Sequence, residues 1–138
     1  MNFGASSQRS KPTFEEYLAG ASLSFGIAYL GIEVSGAILS YKGIAPEELR
    51  PYATLGAVLY ILLHLVSGWI GGYFVARRID AGHLRAGFLT GVGAFLIEFF
   101  ITLIFQPPFP GAIWVLICML SGGLLGGATA SLLRPHPG

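Results

Sequence analysis

The sequence predicts an all-α integral membrane protein, a four-helix bundle, from three observations. Of its 138 residues, 54% are hydrophobic and 11% are charged, whereas a typical soluble domain has about 25% charged residues. Four stretches each contain roughly 20 mostly apolar residues, the length that crosses a bilayer as a helix. Polar or proline-rich segments separate these stretches. The same composition excludes disorder, which requires low hydrophobicity and high charge.

The predicted order begins with a polar cytoplasmic tail over residues 1–16, followed by one membrane domain over 17–138. The apolar stretches define four spans, at 17–40, 53–76, 84–105 and 111–133.

Local signals mark the ends of these spans. Thr13 followed by Glu16 is the pattern of a capping box at a helix start. The segment "APEELR" (45–50) predicts one short helical turn, and Pro51 suits the first turn of helix two. The segment "QPPFP" (106–110) ends helix three and starts helix four.

The cationic residues lie mostly on one side of the predicted spans. One side carries six, namely Arg9, Lys11, Arg77, Arg78, Arg85 and Arg134, and the other side carries only Lys42 and Arg50. Lysine and arginine concentrate in the cytoplasmic loops of membrane proteins. The sequence therefore predicts a protein of the cytoplasmic membrane with both termini in the cytoplasm.

The two halves of the chain resemble one another. "GIAYLGIEVSG" (26–36) matches "GVGAFLIEFFI" (91–101), and "SGWIGGYFVARR" (67–78) matches "SGGLLGGATASLLR" (121–134). One interpretation is two parallel-repeat helical hairpins related by an axis along the membrane normal. The alternative is chance, because glycine, serine and leucine are common in all membrane helices.

Twenty glycines call for close helix packing, since small residues let helix backbones approach in lipid. The predicted packing residues are Gly68 and Gly72 in helix two, and Gly122, Gly126, Gly123 and Gly127 in helix four. Packing within one bundle accounts for most of them. Helix four, however, has two adjacent small-residue stripes, which suggests that one of them contacts a second copy or a partner subunit.

Three ionisable residues fall well inside the spans: Glu33, His64 and Glu98. Both acids lie in the later half of their helices, at nearly one depth, and both share a face with small residues. All three side chains are therefore expected to point into the bundle. A carboxylate at this depth costs a few kcal/mol. Two interpretations remain open: a proton or cation site with His64 and Tyr29 or Tyr60 as hydrogen-bonding partners, or protonated acids that anchor neighbouring helices or a partner protein.

The segment "GGYFVARRIDAGHLRAGFLTGVG" (71–93) resembles a recurring feature of small glycine-rich four-helix prokaryotic membrane proteins of unknown function. In these, a "GG(Y/F)xAxR" end of helix two leads through a short turn into an "xxGxxxG" helix three. The resemblance implies a fold and not an activity.

No motif for catalysis, phosphate binding or metal binding is present, so we expect no enzyme activity and no cofactor. The single cysteine, Cys118, cannot form an intramolecular disulfide or a thiolate cluster. A net charge of +1 without a basic run argues against nucleic acid as a partner. The leading hypothesis is an oligomeric or accessory subunit of a membrane complex, with the bilayer and a homo-oligomer or larger complex as partners. The alternative is a proton- or cation-coupled transporter or channel that uses Glu33 and Glu98.

Overall fold

A computed structural model describes residues 11–105, 109 and 111–133. Several predicted features lie outside the described residues: most of the polar tail, most of the 106–110 segment, Arg9 and Arg134. The helices are α1 (Phe14–Tyr41), α2 (Ala53–Ala76), α3 (His83–Phe105) and α4 (Ala112–Leu132), and a 3-10 helix (Pro46–Tyr52) precedes α2. The described residues contain no strand, so the prediction of an all-α fold is confirmed. All four α-helices are long and apolar enough to cross a membrane.

The helix ends follow the local sequence signals. The predicted capping box is present: the Thr13 amide donates to Glu16 Oε2 over 2.9 Å, and the Glu16 amide donates to Thr13 Oγ1 over 3.4 Å. The predicted short turn is the 3-10 helix. It includes Pro51, so α2 begins two residues after this proline. Gly111, with φ of 85°, precedes α4 in the left-handed conformation that favours glycine.

The packing order of the helices differs from that of a symmetric pair of hairpins. The α2–α4 contact is the most extensive, followed by α3–α4, α1–α2, α1–α3 and α2–α3, and the described residues show no contact between α1 and α4. A two-fold axis that exchanges the halves would make α1–α4 equivalent to α2–α3. Among the described residues, only the α2–α3 contact exists. The halves therefore do not pack about the predicted axis, whatever the origin of their sequence similarity.

One half of the bundle is closely packed, and the other is not. The buried residues of α1 end at Ala28 and those of α3 end at Glu98, whereas those of α2 begin at His64 and those of α4 begin at Val115. These residues define the closed half, which includes the helix ends nearest Arg77, Arg78 and Arg85. The remaining helix ends form the open half, in which most side chains of α1 and α2 are exposed.

Close backbone contact at glycines is a feature of the closed half. In the closed half, a Cβ on Gly72 would lie 2.6 Å from the carbonyl oxygen of Gly123, and one on Gly68 would lie 2.8 Å from that of Met119. Both distances are shorter than real Cβ contacts, so only glycine permits this backbone approach. In the open half, a Cβ on Gly36 or Gly56 would meet nothing within 4 Å.

The two small-residue stripes of α4 are both occupied within the chain. Gly122 and Gly126 contact the backbone of α2, and Gly123 and Gly127 contact the backbone of α3. The expectation that one stripe is left over for another copy or a partner is therefore wrong. Helix four lies between two neighbours, and each needs a stripe.

Candidate functional site

The polar centre of the fold is a contact between α2 and α3. Nε2 of His64 lies 2.9 Å from Oε1 of Glu98, and the exposed fractions of the two residues are 0% and 6%. His64 is the first buried residue of α2, and Glu98 is the last buried residue of α3. The pair therefore lies where the closed half ends and the open half begins.

The other ring nitrogen of His64 determines where the protons are. Nδ1 lies 2.8 Å from the backbone oxygen of Tyr60. Because a carbonyl oxygen only accepts hydrogen bonds, Nδ1 must carry a proton. The tyrosine ring also packs on the imidazole, with centroids 4.2 Å apart. These contacts fix the orientation of His64 and leave Nε2 to interact with the carboxyl group.

One proton is therefore shared between Nε2 of His64 and Oε1 of Glu98. If it resides on Nε2, the pair is an imidazolium and a carboxylate; if it resides on Oε1, both groups are neutral. Either arrangement has zero net charge. Removal of this proton would leave two lone pairs facing one another over 2.9 Å and an uncompensated buried charge, which is costly. The pair therefore needs either its proton or another cation in its place.

The second carboxyl oxygen of Glu98 is buried and has no hydrogen-bond partner in the part of the chain that the structure describes. Most buried polar atoms in folded proteins are hydrogen-bonded, so an exception calls for an explanation. An unsatisfied carboxyl oxygen of this kind is a ready acceptor for a donor or a cation. Glu98 is thus held through one oxygen, while the other is buried without a hydrogen-bond partner among the described residues.

A partly enclosed cavity of about 680 Å³ adjoins Glu98 in the open half. It lies among α1, the early part of α2, the later part of α3 and the segment before α4. Five aromatic residues, two isoleucines, a threonine and two glutamates line it: Phe25, Tyr29, Tyr60, Phe105, Phe109, Ile32, Ile101, Thr102, Glu33 and Glu98. The cavity is therefore mainly apolar and carries two acidic groups.

The structure places Glu33 differently from the expectation. Glu33 is exposed and is not buried in the bundle, although it lines the same cavity as Glu98. The close approach of α1 depends on the stripe of Gly20, Ser24 and Ala28, all buried. The next position of that stripe is Ile32, 36% exposed, whose branched side chain is too large for the same approach. The later half of α1 therefore borders a cavity.

The predicted tyrosines occupy two different positions. Tyr60 lines the cavity and supplies the backbone oxygen that orients His64. Tyr29 is 46% exposed, lines the cavity and packs against Phe25 with ring centroids 5.6 Å apart. All five residues singled out as polar candidates thus lie in or beside one region.

Sequence reasoning missed the aromatic wall of this region. Phe25, Tyr29 and Glu33 are spaced by four residues along α1. Glu98, Thr102 and Phe105 are spaced by four and then three residues along α3. Residues at such spacing share one face. Extending the faces of the two acids in both directions would have identified Phe25 and Phe105. Phe109 has no such signal, since it lies outside the helices.

The site has few features of a metal centre. Among the described residues, no group of three or more histidine, cysteine or acidic side chains could hold a metal ion together. Cys118 is buried in α4 and does not line the cavity.

Comparison with known proteins gives no further assignment: no family model, no curated protein and no solved structure matches this chain.

Proposed function

We propose that this chain is an integral protein of the cytoplasmic membrane that binds a proton or another cation beside Glu98 and carries it across the bilayer. The observation that supports this most directly is the buried His64–Glu98 pair with one carboxyl oxygen unsatisfied, next to a cavity that also contains Glu33. Ionisable groups inside membrane spans usually belong to ion pathways or proton relays.

The charge distribution supports a particular orientation. Arg77, Arg78 and Arg85 lie at the end of the bundle that forms the closed half, and Arg78 Nη1 pairs with Glu16 Oε1 over 3.6 Å. If this end faces the cytoplasm, as the positive-inside rule predicts, the cavity opens toward the outer surface. The glycine-packed half then separates the cavity from the cytoplasm, so transport requires these helices to rearrange.

The experiment compares proton flux into proteoliposomes that contain the wild-type chain, Glu98→Gln or Glu33→Gln. A pH-sensitive dye inside the vesicles reports flux after an imposed membrane potential. We expect Glu98→Gln to lower the protein-dependent flux at least about tenfold, since an amide cannot exchange the proton. Glu48→Gln, in the exposed 3-10 helix, is the matched control. No flux from the wild-type protein, or equal flux from wild type and Glu98→Gln, would contradict the proposal.

We also propose, as a second candidate, an oligomeric or accessory subunit of a membrane complex. With the α4 stripes occupied, its support comes from the other helices. A Cβ on Gly26 or Gly36 of α1, or on Gly56 of α2, would meet nothing within 4 Å. Native mass spectrometry in mild detergent tests it. A dimer or a co-purifying partner is expected, and Gly26→Leu should abolish the association; a monomer alone contradicts it.

A further inference from the structure

We propose that the cavity takes a bulky organic cation, held between Glu33 and Glu98 against an aromatic wall. This inference rests on the proposed function, because it names the class of cation that the same site binds.

The size of the cavity favours an organic molecule. Its volume is about 680 Å³, within the range of about 300–1,000 Å³ that is typical of sites for drug-sized ligands. A bare inorganic ion would fill a small fraction of this space. It would also leave most of the apolar wall in contact with water, which is unfavourable for that surface.

The charge of the cavity selects for a cation. Glu33 and Glu98 are the two acidic residues among the described residues that line it, and no lysine or arginine is among them. Glu98 contacts His64 through Oε1, and its buried Oε2 has no hydrogen-bond partner among the described residues. An anionic ligand would face Glu33 beside the neutral His64–Glu98 pair, with no lysine or arginine in the described part of the wall to compensate it.

The aromatic rings favour a cation whose charge is spread over apolar groups. Phe25 and Tyr29 form a tilted pair on α1, and Tyr60, Phe105 and Phe109 contribute rings from the other sides. The faces of such rings attract cations, and the attraction is stronger where the cation is desolvated. A quaternary ammonium or phosphonium ion satisfies both the rings and the carboxyl groups without requiring a shell of oxygen ligands.

The test measures binding by the purified full-length chain in detergent micelles, with protein-free micelles as the reference. The probe is tetraphenylphosphonium. Its control is tetraphenylborate, which has nearly the same size and shape and the opposite charge. We expect saturable binding of the phosphonium ion and a dissociation constant for the borate ion at least about tenfold higher. Equal binding of the two ions would overturn the inference.

Two sets of variants, one of glutamates and one of phenylalanines and each with its own control, locate the bound cation. Glu98→Gln and Glu33→Gln should each weaken phosphonium binding at least about tenfold, whereas Glu48→Gln should leave it unchanged. Phe25→Leu should weaken binding severalfold. Phe100→Leu is its control, because Phe100 is 55% exposed and does not line the cavity. Circular dichroism and gel filtration establish that each variant folds. Equal binding by the three cavity variants and the two control variants would refute the assignment.

Failure of this inference is distinct from failure of the proposed function. If phosphonium does not bind while proton flux still depends on Glu98, the cavity takes no organic cation and the proposed proton transport stands. If phosphonium binds with the expected dependence on Glu33 and Glu98 but no flux of proton or phosphonium occurs in proteoliposomes, the binding site stands and transport is refuted.

Discussion

Oε1 of Glu98 lies 2.9 Å from Nε2 of His64, and this contact joins the last buried residue of α3 to the first buried residue of α2. The pair thus has two roles that can be separated by experiment. It ties two helices together, and in the proposed function it holds the exchangeable proton beside the cavity that Glu98 lines. The first role is a matter of stability, and the second is a matter of chemistry.

The stabilising role of the pair is measurable by a double-mutant cycle. His64→Leu or Glu98→Leu alone leaves a buried polar partner unpaired, which costs about 1–3 kcal/mol. The double variant removes both partners, so we expect it to be more stable than the sum of the single effects by about 1–3 kcal/mol. Unfolding in mixed detergent–SDS micelles measures each free energy.

The control for this cycle combines Glu98→Leu with Ser131→Ala. The Ser131 hydroxyl donates to the Ala128 oxygen of its own helix over 2.7 Å and is exposed, so these two effects should add. Additive behaviour of the His64 and Glu98 variants as well would show that the contact contributes nothing to folding.

The close packing of α2 on α4 predicts a strong difference between two glycines of one helix. Gly72→Ala places a methyl group 2.6 Å from the Gly123 oxygen, so the helices must separate. We expect a loss of about 1–3 kcal/mol in the free energy of unfolding. Gly56→Ala, where nothing lies within 4 Å, should be neutral or slightly stabilising. A comparable change in the free energy of unfolding at both positions would show that the close approach of α2 and α4 at Gly72 is not what makes this glycine necessary.

The proposed orientation predicts opposite labelling of two loops. In a Cys118→Ala background, Lys42→Cys lies after α1 and Ala81→Cys lies between α2 and α3, both at exposed positions. A membrane-impermeant maleimide should label Lys42→Cys in intact cells and label Ala81→Cys only after permeabilisation. The reverse pattern would invert the topology and place the cavity on the cytoplasmic side.

The capping box predicts a small effect at the start of α1. Thr13→Ala removes the acceptor of the Glu16 amide, and loss of such a cap costs about 1 kcal/mol. We expect faster amide exchange in the first turn of α1, measured by hydrogen–deuterium exchange, with no change near Ala28. Thr13→Ser keeps the hydroxyl and should retain the wild-type exchange rates. Equal protection of the first turn in wild type and Thr13→Ala would contradict the role of the cap.

The features that depend on nearby residues could be predicted from the sequence. The capping box needs two residues three positions apart, and the 3-10 helix needs a local run with proline and acids. The four long helices follow from the length of the apolar runs, since no polar interruption divides them. All of these signals lie within one turn or one segment of the chain.

The features that depend on long-range packing could not. Glu98 and His64 are separated by 34 positions, and the face and depth of each residue do not select its partner among several helices. Glu33 shares a small-residue face with its neighbours, yet Ile32 ends the close approach of α1 before it can be buried. The two small-residue stripes of α4 could be identified from the sequence. Which helices pack against them depends on the order of the helices around the bundle.

The position of α4 has a consequence for how the protein is made. The most extensive contact in the fold joins α2 to α4, and α4 leaves the ribosome after α2 and α3. Until α4 is present, the glycines of α2 and α3 that face it have no partner that fits them, namely Gly68, Gly72, Gly87 and Gly91. We therefore expect nascent chains that end before α4 to be loose assemblies exposed to quality-control proteases, and protease resistance to develop only once α4 has packed on α2 and α3.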